Sequence, residues 1–290
     1  MDRVLHLPKL LGVMVWVLAG SGCAIGLNGW SGEASFATSH HSEPVAGDER
    51  LEARVELNVG ELQISPGPAE TLYESEIYYN ELAFQPRVEF HRENGVGRLQ
   101  VGLDGQGSFR GAGKNSIEVR LNPNVPLNLD VNSGVGESRI ELSGMSVVGL
   151  AVQAGVGETR VSMLSPNQSS CGDVEIHSGV GALEFVGLGN LGFRRFAFRG
   201  GVGGSKLDFT GEWKELGEIS IEVGVGEVEV ILPRSIGAEV RVSKGFFSEF
   251  QMREFRKQGD TYFSENIDRV DKVVRVRVQA GIGGVGFRWI

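Results

Sequence analysis

Hydrophobic and polar residues alternate along most of this chain, and the alternation is interrupted at regular intervals by the tripeptide Gly-Val-Gly. Five and three residues before each tripeptide, and four residues after it, the side chain is apolar in every regular copy. Period-two alternation on both sides of a glycine pair predicts a strand, a kink and a second strand with one buried face. The apolar columns before the tripeptide are Leu129 and Val131, Leu150 and Val152, Val174 and Ile176, Phe196 and Phe198, and Ile219 and Ile221.

The tripeptide recurs every 21 to 24 residues, at 134–136, 155–157, 179–181, 201–203 and 224–226. A period in this range is typical of repeat architectures, whose units bury their apolar faces only against neighbouring units. Looser copies at 58–60, 95–97 and 281–283 bring the number to about eight. The sequence therefore predicts an all-β fold: a parallel β-solenoid of about eight coils, similar to a single-stranded β-helix, with a C-terminal hairpin cap.

The paired glycines are expected to be structural turn residues. A strand that bends sharply needs residues that tolerate positive φ or lack a Cβ atom, and glycine offers both. The valine between them is apolar in every regular copy, so we expect it at a corner of the core. The glycines concerned are Gly134, Gly136, Gly155, Gly157, Gly179, Gly181, Gly201, Gly203, Gly224 and Gly226.

The N-terminal residues resemble an export signal. Arg3 and Lys9 are followed by an apolar run at 10–19, by small residues at 20–22 and by Cys23. This order is typical of a signal peptide, and a cysteine after small residues resembles a lipoprotein lipidation site, although Gly20 stands where leucine is usual. We predict a signal peptide at 1–23 and lipidation of Cys23, with cleaved secretion and an uncleaved membrane anchor as alternatives.

Differences in composition and in the regularity of the repeat divide residues 24–290 into three segments. Residues 24–50 are rich in small and polar residues and predict a flexible tether. The irregular copies predict N-terminal coils at 51–125, and the regular ones a solenoid at 126–290. The aromatic-rich segment 244–272 breaks the repeat and predicts an insertion that either caps the stack or offers aromatic anchors to a partner.

The net charge limits the possible partners, and the cysteine content limits the kind of fold. The net charge of −9 argues against nucleic-acid binding and against simple adsorption to an anionic membrane. With two cysteines in 290 residues the chain is no disulfide scaffold, and Cys171 is interpreted as an isolated loop residue.

No catalytic, cofactor or metal site is predicted. The string at 281–286 matches a dinucleotide-binding pattern, but too few residues follow it to form the required helix. The segment 200–206 lacks the Gly-Lys-Ser/Thr order of a phosphate-binding loop. Glutamates directly after the glycine pair, such as Glu137, Glu158 and Glu227, suggest either a calcium ladder or solvated edge charges, and gaps in the column favour the latter.

The chain also resembles a known family. The segments Leu57-Asn58-Val59-Gly60-Glu61-Leu62, Tyr78-Tyr79-Asn80-Glu81-Leu82 and Pro86-Arg87-Val88-Glu89-Phe90 resemble the N-terminal part of toast-rack proteins of the bacterial envelope. The glycine-containing coils that follow are similar to a domain shared with LiaF-like proteins of the cell-wall-antibiotic response and with adhesin-like proteins. The resemblance implies a β-solenoid outside the cytoplasmic membrane and no catalytic residues.

Two functions follow as hypotheses. The first is a non-enzymatic envelope lipoprotein that presents a solenoid surface to an envelope protein or a cell-wall polymer, in stress response or adhesion. The second is a secreted β-helix enzyme acting on acidic polysaccharide, which would need clustered carboxylates or basic residues over a groove.

Overall fold

The computed structural model describes residues 35–105, 114–214 and 216–290, without the side chains of 244–246. These residues form fifteen β-strands and two short 3₁₀ helices, at Leu188–Leu191 and Ile267–Arg269. The strands are β1 Phe36–Pro44, β2 Arg50–Pro66, β3 Thr71–Asn80, β4 Phe84–Glu93, β5 Val96–Gly105, β6 Ser116–Leu121, β7 Leu127–Glu141, β8 Val147–Ser162, β9 Cys171–Val186, β10 Phe193–Asp208, β11 Glu218–Leu232, β12 Gly237–Met252, β13 Phe255–Gln258, β14 Thr261–Ser264 and β15 Val273–Trp289.

All described strands belong to one sheet, with the order β1-β3-β6-β2-β7-β8-β9-β10-β11-β15-β12-β14-β13. From β2 to β12 every neighbouring pair is parallel, and antiparallel strands cover both ends. β5 and β6 lie beside the two halves of β2, and β4 pairs with β5 outside this path. The predicted all-β, parallel solenoid is thus confirmed.

Equivalent residues of successive repeats lie opposite one another. Val131 is aligned with Val152, Val152 with Ile176, Ile176 with Phe198, and Phe198 with Ile221. All five are almost completely buried. The columns read from the sequence therefore form a continuous core, in which each coil covers the apolar side chains of its neighbours.

Each long strand bends at its glycine pair. The second glycine has a φ between 134° and 139° in β7 to β11, a region that side-chain-bearing residues rarely adopt. A Cβ atom on this residue would also overlap the carbonyl oxygen of the matching glycine on the preceding strand. Bending and close stacking together require glycine here, as at Gly181 over Gly157.

The N-terminal part differs from the prediction in two places. Residues 36–44 are not a flexible tether, because β1 pairs along its length with β3. The copy at 95–97 is not a kink: Asn94 and Gly95 form the tight turn of the β4–β5 hairpin, with φ of 50° and 76°. The copy at 58–60 does bend in line with β7, and this pairing carries the sheet across the predicted boundary at 125 without a break.

The C-terminal part follows an order that the sequence did not predict. The last strand, β15, lies between β11 and β12, so the copy at 281–283 is an internal coil. Residues 237–252, placed partly in the predicted insertion, form the full-length strand β12, whose register shifts between Lys244 and Phe247. The cap is the shorter β13–β14 hairpin, in which Phe255 packs on Phe287 and Trp289.

Candidate functional site

A row of exposed apolar side chains runs along the outside of the kink. The central residues of the tripeptides are about half exposed, from 43% at Val225 to 52% at Ile282, and Phe247 at the end of the row is 76% exposed. We call this row the valine ridge. Its members are aligned on neighbouring strands: Val135, Val156, Val180, Val202, Val225, Ile282 and Phe247.

The prediction that these valines lie at a corner of the core is therefore wrong. Ser133 and Ser138 both point inward and share a 2.7 Å hydrogen bond. Because they are five residues apart, strict alternation cannot hold between them, and the residues of the kink are displaced outward. The central valine therefore points to solvent.

Beside the ridge, the outer face of the second strand halves forms a groove of about 1430 Å³, which we call the trough. It extends from β7 across β8, β9, β10, β11 and β15 to β12. Seven strands about 4.8 Å apart give it a length of roughly 30 Å. Its lining includes two rows of outward-facing residues: Glu137, Glu158, Ala182, Gly204, Glu227, Gly284 and Glu249, and then Arg139, Arg160, Glu184, Lys206, Glu229, Gly286 and Gln251.

Four of the five basic side chains that line the trough among the described residues are engaged in ion pairs, and Arg253 is the fifth. Arg139 contacts Glu137 at 2.6 Å, Arg288 contacts Glu229 at 2.7 Å, and Lys206 contacts Glu184 at 2.8 Å. Arg160 also pairs with Glu184. The hydrogen bond from Lys206 and the charge of Arg160 hold the pKa of the Glu184 carboxyl below its ordinary value, although partial burial opposes them.

Acidic groups remain after these pairs are formed. Glu158, Glu227 and Glu249 have no ion-pair partner among the described residues. The trough therefore carries residual negative charge and is suited to neutral or basic ligands rather than polyanions. No group of three His, Cys, Asp or Glu side chains within the described ranges is placed to bind a metal ion.

Two glycines of the trough have a different role from those at the kink. A Cβ atom on Gly204 would meet nothing within 4 Å, and one on Gly286 would touch only the Gln251 side chain at 3.9 Å. Neither has the positive φ that excludes other residues. The backbone does not require glycine at these positions, and the missing side chains deepen the trough.

The other residues singled out from the sequence lie apart from this surface or outside the described ranges. Cys23 lies outside the described residues. Burial, with a smaller effect from the charge of Asp173, raises the pKa of the Cys171 thiol to about 12, so it is a poor nucleophile.

The Glu184 and Glu254 carboxyls of the trough both have a pKa below the ordinary value. Where a carboxyl pKa is shifted among the described residues, it is lowered, as at Asp48, Glu56, Glu141, Glu184 and Glu254. General acids of glycoside hydrolysis need the opposite shift. No described helix has the length and apolar character needed to cross a bilayer.

A family model described as the N-terminal domain of toast_rack, DUF2154, matches residues 31–186. This chain belongs to the toast-rack family. The toast-rack match ends at Val186, the last residue of β9, and β10, β11, β15 and β12 continue the same parallel stack beyond it. The ridge and the trough of this toast-rack protein therefore extend past the matched region.

Two solved structures are similar to this toast-rack chain at low identity. One is a candidate cell adhesion protein from Clostridium sporogenes, 18% identical, with a TM-score of 0.43, covering 88% of this chain and 100% of that one. The other is a candidate adhesin from Bacteroides fragilis, 14% identical, with a TM-score of 0.36, covering 88% and 97%. No curated protein matches the chain.

Proposed function

We propose that this toast-rack protein is an exported, non-enzymatic component of the cell envelope that binds an extended partner in its trough. The observation that carries the proposal is the continuous groove across seven aligned strands, bordered by the valine ridge. Such a groove matches a long ligand, such as a glycan strand or an extended polypeptide, better than a compact small molecule. Adhesion and envelope stress signalling are both processes that such a surface would serve.

The chemistry of the trough favours one kind of partner. The ridge supplies apolar contacts on one side, and unpaired carboxylates such as Glu158 and Glu227 supply hydrogen-bond acceptors. Paired charges such as Arg288 with Glu229 are already satisfied. A neutral or basic polymer with apolar faces fits this combination, whereas the residual negative charge opposes an acidic polysaccharide.

A substitution that fills the trough tests the proposal. Gly204→Arg introduces a side chain where the structure has open space, whereas Ala197→Arg places the same side chain on the other half of β10. Sedimentation with purified cell-wall sacculi and crosslinking in cells would measure binding. We expect Gly204→Arg to weaken binding at least tenfold and Ala197→Arg to leave it within twofold. Equal binding by both variants, or turnover of any purified glycan, would overturn the proposal.

The location is proposed from the N-terminal sequence. Cys23 after three small residues is the expected site of a lipid, which would hold the solenoid at a membrane. Mass spectrometry of the mature N-terminus would detect diacylglyceryl and acyl groups on Cys23, and Cys23→Ser should release the protein from the membrane fraction. An unmodified Cys23 in a protein that stays in the membrane would instead indicate an uncleaved anchor.

A further inference from the structure

The free negative charge of the trough lies in the row of residues next to the valine ridge. In that row, Glu158 on β8 and Glu227 on β11 are exposed and have no ion-pair partner among the described residues. In the second row, every charged side chain is already engaged in an ion pair: Arg139, Arg160, Glu184, Lys206 and Glu229. A ligand that lies along the first row therefore meets uncompensated carboxylates beneath it and apolar side chains beside it.

The floor between these two carboxylates is open. Ala182 on β9 and Gly204 on β10 occupy the positions between them in the row, and a Cβ atom on Gly204 would meet nothing within 4 Å. At the β12 end of the trough, by contrast, Glu249 and Arg253 both lack an ion-pair partner among the described residues, so the free charges there are of opposite sign. The uncompensated negative charge is therefore greatest in the middle of the trough.

The spacing of the two carboxylates matches an extended polypeptide. Glu158 and Glu227 are three strands apart, which is about 14 Å at ~4.8 Å per strand. Four residues of an extended chain span about 13 Å, and the first and the fifth point to the same side. Lysine or arginine side chains at these two positions can therefore reach both carboxylates, and the residue midway between them lies over Ala182 and Gly204.

Further features of this surface favour a basic polypeptide over a neutral glycan. Strands β8 to β11 are each aligned with a strand on both sides, so side chains rather than backbone groups must hold the ligand. A cationic donor makes a stronger hydrogen bond to a carboxylate than a neutral hydroxyl does, and it also compensates the charge. The half-exposed valines from Val156 to Val225 offer an aliphatic surface, which suits the methylene groups of lysine and arginine.

We propose, on the basis of the function proposed above, that the trough binds an extended polypeptide segment with two basic residues four positions apart. One basic side chain pairs with Glu158 and the other with Glu227. Their methylene groups lie along the valine ridge, and the residue midway between them is small.

Synthetic peptides of equal composition test the spacing. The probe is a short, end-blocked, fluorescently labelled peptide of serine, threonine and alanine that carries two lysines four positions apart, and its matched control carries the same two lysines side by side. Fluorescence anisotropy with the full chain in mild detergent at low ionic strength measures both dissociation constants. We expect the spaced peptide to bind roughly three- to tenfold more tightly than the adjacent one, and added salt to weaken its binding.

Variants of the protein test the two contacts, with circular dichroism confirming that each one folds. Glu158→Gln and Glu227→Gln should each weaken binding of the spaced peptide roughly three- to fivefold, and the double variant should lose the preference for the spacing. A double variant with lysine at both positions should instead prefer the corresponding peptide with two glutamates. Glu175→Gln, on the other half of β9 and without an ion-pair partner among the described residues, is the matched control and should bind as the parent does.

Equal affinity for the spaced and the adjacent peptide, or unchanged binding by both glutamine variants, would overturn this proposal. Sedimentation with sacculi that Gly204→Arg abolishes, without binding of either peptide, would also overturn it. In that case the function proposed above would stand, with a glycan as the occupant. Peptide and sacculus binding that Gly204→Arg leaves unchanged would contradict both proposals.

Discussion

The middle strands of the stack and strand β12 at its end follow the same alternation but are built differently at the kink. In β9 and β10 the bend consists of Gly-Val-Gly, and each second glycine lies directly over the glycine of the strand before it. In β12 the bend contains Lys244 to Phe247 and shifts register by an extra residue. Two solutions to the same bend therefore exist in one sheet.

The difference shows that a glycine at the kink of one strand makes glycine necessary on the strand stacked against it. A glycine carbonyl occupies the space that a Cβ on the next strand would need, so a strand that stays in register must also have glycine. A strand that slips by a bulge escapes this requirement but aligns less regularly with its neighbour. The regular strands have a fully buried core, whereas Phe250 and Met252 of β12, the last strand of the parallel stack, remain partly exposed.

The largest expected effect is at the kink. Gly181→Ala places a Cβ against the carbonyl oxygen of Gly157 at a φ of 138°, so strand separation or a backbone change must follow. We expect a loss of about 4 kcal/mol or more in the free energy of unfolding, measured by urea denaturation. Gly204→Ala, in open space on the next strand, should change it by less than about 0.5 kcal/mol. Equal effects would contradict the stacking requirement.

The second largest expected effect is the difference in stability loss between truncating a buried phenylalanine and truncating a partly exposed one. Phe198 in β10 is 1% exposed and Phe250 in β12 is only partly buried. Phe198→Ala should cost about 3–5 kcal/mol, as for fully buried aromatic residues, and Phe250→Ala roughly half as much or less. Thermal and urea unfolding of the two variants at high dilution would check this order. A larger loss at Phe250 would mean that the end of the stack is better packed than the structure shows.

The repeating part could be predicted from the sequence because every regular repeat contains the same apolar positions and the same glycine pair. Val131, Val152 and Ile176 could be aligned from spacing alone, since equivalent residues of stacked coils must coincide. The position of β15 between β11 and β12 could not be predicted in this way, because the alternation of apolar and polar residues does not specify which distant segments pair. One signal was present: the copy at 281–283 keeps both glycines and can therefore stack directly on Gly226, whereas β12 cannot.

The candidate site was harder to predict from the sequence than the repeat. The outward direction of Val135 follows only when Ser133 and Ser138 are both known to point inward. The depth of the trough depends on small residues such as Gly204 and Gly286, which stand where other repeats have charged side chains. The strand character of 36–44 was also missed, because pairing with β3 outweighs the polar composition of this segment.

A further contrast between β9 and β12 concerns how readily their backbone hydrogen bonds open. Amides of β9 lie between two strands that are aligned with it, whereas the segment of β12 from Ser243 to Met252 is aligned with a strand on one side only, β15, among the described residues. Hydrogen exchange followed by mass spectrometry should show β9 exchanging only through global unfolding and this segment of β12 exchanging many times faster. Equal protection of both strands at high dilution would contradict an open edge.

The smallest effect is electrostatic and distinguishes the two halves of β9. The pKa of Glu184 is lowered in the folded protein by its hydrogen bond to Lys206 and by Arg160, so its contribution to stability is present above about pH 4.5 and is lost as the pH falls through the folded value. Glu184→Gln should therefore destabilise the protein by a few tenths to about 1 kcal/mol at neutral pH, and the difference from the parent should vanish in acid. Glu175→Gln, on the other half of the same strand and without an ion-pair partner among the described residues, should show little difference at either pH. Urea denaturation at neutral and acidic pH would measure both differences, and a Glu184→Gln effect that persists in acid would show that packing, rather than the ion pair, links β9 to β8 and β10 at this position.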